Sequence, residues 1–289
     1  TVSPDEFDDP NKYIVMASRR GYIKKTELAL FKNLRRVGLR ALVIEEDDDL
    51  IGAGISENGN EILLSTRLGM ACLFDQNDEQ IRPMGRTARG VTGMRFKLEG
   101  DGVVSMEVIR EHVYDDSEIS GDAEAEAEIE TELESDEEAP VYGSGPEVLV
   151  VTDGGMGKRS FVSTYRKTNR GAKGVVNIRL REGENVLSVI QITEEDEILL
   201  TTERGQLVRI PASEIRRVGR ASKGVRIMNL NSGDRITGVA KLVKVEMPKS
   251  VSPAPETEAG SEEQERNVPS VPVDADVETE VSENPESGE

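Results

Sequence analysis

The chain of 289 residues has one cysteine, one histidine and no tryptophan. A lone Cys72 cannot build a disulfide framework, and with His112 as the sole imidazole there is no Cys/His set for a structural zinc. Five tyrosines and five phenylalanines are too few to make base stacking the chief way of holding a single strand of nucleic acid. No run of about 20 apolar residues occurs and nothing resembles a signal peptide, so the expectation is a cytoplasmic protein with no membrane partner. A chain that opens on Thr1 reads as part of something longer.

Acid, by contrast, is abundant and confined. The formal charge is -20, yet residues 113–146 carry 13 Asp/Glu and no Lys/Arg, and residues 247–289 carry 12 acids against Lys249 and Arg266. Without these stretches the remainder is +3, and without residues 1–11 as well it is about +7. Both stretches are poor in the aromatic and large aliphatic residues that offset the entropy of ordering, so both are expected to be disordered. The alternating Glu-Ala run at 124–128 sets like charges two and four apart, which argues against a helix. Tethered beside a basic surface, such polyanions would compete with a nucleic acid for it; the alternative is that they are passive spacers.

The basic remainder is repetitive. IVMASRRGYIKKT at 14–26, ILLSTRLGMACLF at 62–74, VLVVTDGGMGKRS at 148–160 and ILLTTERGQLVRI at 198–210 share one design. An apolar, partly β-branched run leads to Ser or Thr, two residues, Gly and a second alternating run, which predicts a β-hairpin. The turn glycines Gly21, Gly69, Gly155 and Gly205 lie 48, 86 and 50 residues apart, and removing the 34-residue insert turns 86 into 52. Each hairpin is followed by a loop with its own glycine, at Gly38, Gly90, Gly174 and Gly224. A third strand comes next (LRALVI, VTGMRFKL, VVNIRL, VRIMNL), then a turn and a fourth (LIGAGI, VVSMEVI, VLSVIQI, ITGVAKLV).

Four strands at this period are the pattern of a propeller-type blade, and the apolar spacing of helical repeats is absent. The expected architecture is all-β, with four four-stranded blades at 11–57, 58–112, 147–195 and 196–245. Residues 1–10 would be disordered or link to a preceding blade, 113–146 would be an acidic insert and 246–289 an acidic tail.

The loop before each third strand is basic. It carries Arg35, Arg36 and Arg40; then Arg82, Arg86 and Arg89; then Arg166, Lys167, Arg170 and Lys173; then Arg216, Arg217, Arg220 and Lys223. RPMGRTARGVTGM at 82–94 returns as RRVGRASKGVRIM at 216–228. A protein that bends DNA without reading its sequence needs Lys and Arg recurring along a path of phosphates. Glycine beside them lets the backbone approach phosphate and donate N–H groups. These cations are the candidate DNA-binding residues, while Arg95, on a strand, is the one expected to serve packing.

MASRRGYIKKT, RPMGRTARGVTGM, GKRSFVSTYRKTNRGAKGVVNI and DEILLTTERGQLVRI, in this order, give residues 9–245 outside the insert a specific likeness. The chain resembles the C-terminal domain of the DNA gyrase A protein. The resemblance implies a β-pinwheel, a propeller-like ring whose blades exchange strands and whose rim binds and bends duplex DNA. It implies double-stranded DNA, the gyrase B protein and a second gyrase A protein as partners, in a nucleoid-associated bacterial type IIA topoisomerase that supercoils DNA at the expense of ATP. ATP and magnesium would belong to that holoenzyme, with no cofactor, metal or catalytic residue in this chain. The family usually has six blades, the first bearing a Gln-Arg-Arg-Gly-Gly-Lys-Gly box needed for wrapping. Only four repeats are present here, so the first two blades are expected upstream of Thr1. Arg170-Gly171-Ala172-Lys173-Gly174 is a degenerate cousin of that box, without its role assigned. The alternatives are the corresponding C-terminal domain of topoisomerase IV and a propeller-like scaffold for protein partners.

Three tempting sites are discounted. EEDDD at 45–49 has LEGDG, REGEN and NSGDR as counterparts, which are turns and not a magnesium site. Gly154 to Lys158 lacks the spacing of a phosphate loop and falls in a hairpin. Tyr165, beside Arg166, lacks the acidic metal ligands of a DNA-cleaving tyrosine and is expected to be packed or adjacent to DNA.

Overall fold

The computed structural model describes residues 2–33, 36–110 and 143–242. The acidic insert except for 143–146, the whole acidic tail, Arg35 and His112 lie outside the described residues. Among the described residues no helix is long and apolar enough to cross a membrane. The leader is ordered: Pro4–Asp8 form a 3-10 turn in which Ser3 N donates to Glu6 Oε2 at 2.7 Å and Lys12 Nζ to Glu6 Oε1 at 2.7 Å.

The Ser/Thr-x-x-Gly signature is one turn built four times. It joins β1 (Lys12–Ser18) to β2 (Tyr22–Glu27), β4 (Glu61–Thr66) to β5 (Met70–Asp75), β8 (Glu147–Thr152) to β9 (Met156–Phe161), and β12 (Glu197–Thr202) to β13 (Leu207–Pro211). In each turn the glycine N–H donates to the Ser or Thr carbonyl, at 2.9 to 3.3 Å, with φ between 81° and 86°. Only glycine adopts that left-handed conformation at no steric cost. The hydroxyl then accepts from the N–H one residue further on, as in Met70 N to Thr66 Oγ1 and Met156 N to Thr152 Oγ1, both 3.1 Å.

The fourth strand of each repeat, β3 (Leu50–Glu57), β7 (Val103–Ile109), β11 (Val186–Ile192) and β15 (Ile236–Leu242), pairs antiparallel with the first. A register shift sits near the same end of all four ladders. The third strands are two-residue ladders, β6 (Val91–Thr92), β10 (Val175–Val176) and β14 (Val225–Arg226), and each joins the sheet of the preceding repeat. The sheet orders are β3-β1-β2-β6, β7-β4-β5-β10, β11-β8-β9-β14 and β15-β12-β13. The blade boundaries expected from the sequence therefore mark repeats and not sheets. The last sheet has three strands, and LRALVI at 39–44 forms no ladder among the described residues, its backbone bonding instead to the basic loop through Val43 N to Ala88 O at 3.4 Å.

Successive fourth strands pack on one another, β3 on β7, β7 on β11 and β11 on β15, which puts them on the inner side of the array and the donated edges on the outer side. Three apolar cores fill the gaps between sheets. Val15 and Ile23 meet Ile62, Leu64 and Phe74; Leu63 and Leu73 meet Val148 and Val150; Leu149 and Val151 meet Ile198 and Leu200. Since β4 and β8 lie between two sheets, both faces are covered and every residue is buried. In β12, with nearly the same sequence, burial alternates because only one face is covered. Each interior Leu or Val on such a strand stabilises the array by about 2 kcal/mol relative to its exposed state.

Candidate nucleic-acid interface

The basic loops run along the seams between sheets. Each lies parallel to the second strand of the preceding sheet, through Met84 N to Lys25 O and Thr168 N to Leu73 O, both 2.8 Å, and Val218 N to Arg159 O at 2.9 Å. The loop then reaches its glycine and enters the donated strand. A Cβ on Gly90 would lie 2.5 Å from Ile23 O, one on Gly224 2.8 Å from Gly157 O, and one on Gly174 would collide with Ala71 O. These glycines were expected to let the backbone approach phosphate. What they approach is the backbone of the neighbouring sheet.

Several candidate cations are engaged in the same seams. Arg170 donates through Nε to Gln80 O and through NH1 to Thr92 O, the latter 3.2 Å away on the strand donated to the first sheet. Arg220 repeats this one junction later, donating through Nε to Thr164 O at 3.1 Å and through NH1 to Val176 O. Lys167 pairs with Glu61 at 2.6 Å and Asp75 at 2.9 Å. Burial opposes its charge, but hydrogen bonds to both carboxylates hold its pKa above the ordinary lysine value. Arg217 binds Glu147, reaches Glu194 at 2.7 Å and covers the Phe161 ring, while Arg159 shares both carboxylates. In the first junction Pro83 stands where Lys167 and Arg217 do, and Tyr13 where Glu61 and Glu147 do, so cation and acid are lost together. Arg89 pairs with Glu45 at 2.6 Å and lies 3.8 Å from the Tyr22 ring centroid.

From beneath, a buried lysine holds two of the three loops. Lys24 Nζ donates to Ala41 O at 2.6 Å and Arg86 O at 2.5 Å; Lys158 Nζ donates to Gly219 O at 2.9 Å and to Arg220 O. Burial lowers Lys24 to about 8, and burial together with the Arg220 guanidinium pushes Lys158 well below the usual lysine range. In the middle junction Cys72 takes this place, its Sγ 3.4 Å from Thr168 Oγ1, and burial raises its thiol pKa.

Among the described residues, Arg36, Arg40, Arg82, Arg86, Arg166 and Lys173 make no side-chain hydrogen bond or ion pair. All but the half-buried Arg86 are exposed, as are Arg216 and Lys223 at the positions matching Arg166 and Lys173. A second row was missed by attending to loops alone. Arg95 and Lys97, and at the same places one repeat later Arg179 and Arg181, follow the donated strands, all exposed but the half-buried Arg179. Arg95 serves the seam through its backbone, N to Ala172 O at 3.0 Å, while its side chain is exposed. Aligning the repeats after Gly90 and Gly174 would have revealed the row.

The discounted sites have structural tasks. Asp48 Oδ1 accepts from Arg20 N at 2.8 Å and Asp101 Oδ1 from Leu68 N at 2.9 Å, each capping a hairpin turn. Tyr165 is buried, and its hydroxyl donates to Asn177 Oδ1 at 2.5 Å. Burial drives its pKa upward.

Comparison with known proteins agrees with this geometry. The profile of the family described as DNA gyrase C-terminal domain, beta-propeller, matches residues 12–57, 60–110, 146–193 and 196–242, one segment per repeat. The chain is 38% identical over 192 residues to the DNA gyrase A protein of Chlamydia pneumoniae, covering 66% of this chain and 19% of that protein. It is 36% identical over 177 residues to that of a Nocardioides species, covering 60% and 18%. It thus spans about a fifth of the length of these relatives. Among solved structures, the C-terminal domain of DNA topoisomerase IV matches at TM-score 0.63 and 25% identity, covering 80% of this chain and 62% of that one. A DNA gyrase A C-terminal domain matches at 0.62 and 23%, covering 81% and 67%, a likeness of fold. With a matching segment on each of its four repeats, the chain belongs to the DNA gyrase C-terminal domain family.

Proposed function

We propose that this chain binds and bends duplex DNA along the outer seams of its sheets, as the DNA-wrapping part of a gyrase A protein. The observation that carries the reading is the recurrence, junction after junction, of exposed cations on loops that are themselves fastened to the protein. Arg82, Arg166 and Arg216 occupy one repeated position, and Lys173 and Lys223 another. Phosphates need such charge at regular intervals, and a fixed angle between sheets turns the intervals into a curve. Of the fourteen loop candidates, Arg36, Arg40, Arg82, Arg86, Arg166, Lys173, Arg216 and Lys223 are assigned to phosphate, and Arg170, Arg220, Lys167, Arg217 and Arg89 to holding the loops. Arg35 lies outside the described residues. Eight phosphate contacts correspond to a log-log salt slope of about -7.

By family membership the wrapped DNA would be handed to a cleavage core in an assembly with the gyrase B protein and a second gyrase A protein, where ATP and magnesium act. The part of this chain in that assembly would be to position the DNA. The test is to ligate nicked circular plasmid in the presence of the chain and resolve the topoisomers. A shift in linking number that grows with protein concentration is the expected result. Binding without any shift would reduce the rim to a basic track, and no duplex binding at low salt would favour a scaffold for protein partners.

A further inference from the structure

Two arginines reach beyond their own loops. Arg170 in the third repeat and Arg220 in the fourth each stand four residues ahead of the loop glycine, Gly174 or Gly224. The carbonyls they take also stand at repeated positions, Gln80 and Thr92 for Arg170, Thr164 and Val176 for Arg220. Gln80 and Thr92 flank the basic loop at 81–91, and Thr164 and Val176 flank the one at 165–175. Each guanidinium therefore closes the base of the loop in the preceding repeat. Its Nε takes the incoming stem and its NH1 the outgoing strand, with Thr92 O at 3.2 Å from Arg170 and Thr164 O at 3.1 Å from Arg220.

The gripping residues are themselves held. Gln80 Oε1 accepts from Arg170 N at 2.9 Å, and Gln80 Nε2 donates to Asn169 Oδ1 at 2.7 Å. The backbone of Arg220 is fixed by Lys158 Nζ through Gly219 O and Arg220 O. Backbone bonds link the same neighbours, Gly171 N to Gly93 O at 2.6 Å, Arg95 N to Ala172 O at 3.0 Å and Arg179 N to Ser222 O at 3.2 Å. The loop at 165–175 has a tie of its own, from the Tyr165 hydroxyl to Asn177 Oδ1. Ile81 and Gly93 hold those places around the loop at 81–91, and their side chains can make no such bond.

We propose that Arg170 and Arg220 are positioning residues for the loop of the preceding repeat. Arg170 sets how Arg82 and Arg86 are presented to phosphate, and Arg220 sets how Arg166 and Lys173 are. The proposal rests on the DNA reading and gives it a direction: each phosphate-binding loop is shaped by the one that follows it in the chain. Successive seams then act as a coupled series. The task calls for a guanidinium, whose planar fork spans two carbonyls, where a lysine ammonium is a point donor on a flexible stem.

Arg220→Lys and Arg170→Lys in the full chain keep the charge and remove the fork. In hydrogen exchange, Arg220→Lys should speed the amides of Thr168 and Gly171 about tenfold and leave those of Met84 and Ala88 at wild-type rates. Arg170→Lys should speed Met84 and Ala88 by more, since that loop lacks the tyrosine tie. The Leu64 amide on β4 should be unchanged in both, which separates a released loop from a lost fold. In duplex binding, Arg166→Ala should cost about threefold less affinity in the Arg220→Lys background than in wild type. Additive losses, or lysine variants that exchange and bind like wild type, overturn the proposal and make Arg220 one more charge along the rim. A wild-type chain that binds no duplex overturns the DNA reading instead, with the exchange pattern still deciding whether each arginine shapes its neighbour's loop.

Discussion

On the seam side of the loop at 162–174, Arg170 gives its guanidinium to the carbonyls of Gln80 and Thr92, while on the solvent side Arg166 and Lys173 make no side-chain bond among the described residues. The same residue types in one short loop thus divide into a group that fixes where the loop is and a group that the fixed loop presents. A floppy basic loop would lose affinity to ordering on every contact. One fastened by an arginine, an ion pair and a glycine-permitted strand has met that cost in folding. The junctions show the division with different parts: Lys158, Arg220 and Glu147–Arg217 in the third, Cys72, Arg170 and Glu61–Lys167 in the second.

The comparison is broken most severely by Gly174→Val. The new side chain meets Ala71 O at a φ of 73°, so the donated strand β10 must leave its sheet. A destabilisation of about 3 kcal/mol or more is expected in urea unfolding, against about 1–2 kcal/mol for the same change at Gly38, where only the left-handed φ of 77° has to be borne. Arg170→Ala comes next. It leaves Gln80 O and Thr92 O without that donor at a half-buried site, which should cost about 2 kcal/mol and weaken DNA binding through loss of loop order.

Arg166→Ala should do the reverse. Thermal stability should move by less than about 0.5 kcal/mol, while duplex affinity falls evenly across sequences and the salt slope shrinks by about 0.9. The smallest effect concerns Lys24. Burial lowers its folded pKa to about 8, whereas the unfolded value is about 10.4. The unfolded chain therefore binds more protons in that window, and stability should rise as pH climbs from about 8 towards 10.4. The neutral amine keeps N–H groups for Ala41 O and Arg86 O. Denaturant midpoints of wild type against Lys24→Met across that range would reveal the rise, which the variant should lack.

The repeat was legible because its turn chemistry is local: Thr66, Gly69 and Met70 bond among themselves, and the same spacing recurs wherever the turn does. The partner of the third strand was not, because Val175 and Val176 read alike whichever sheet they join. Only the Gly174 to Ala71 approach decides it. Likewise EILLST and EILLTT predict the same strand, and whether Leu63 or Leu199 is covered depends on the presence of a following sheet. Among the cations, Arg166 and Arg170 are indistinguishable in sequence, since the carbonyls that claim Arg170 come from residues 80 and 92. The pairing of Glu61 with Lys167 and Glu147 with Arg217, against Tyr13 with Pro83, was latent in the aligned repeats. A contact had to show which columns to compare.

The division of cations is tested most directly by the salt dependence of duplex binding for a variant carrying Ala at Arg40, Arg82, Arg166 and Lys173 together. The log-log slope should fall by about 3.6 relative to wild type with the unfolding midpoint unchanged. An unchanged slope would contradict the assignment and place the DNA elsewhere on the protein.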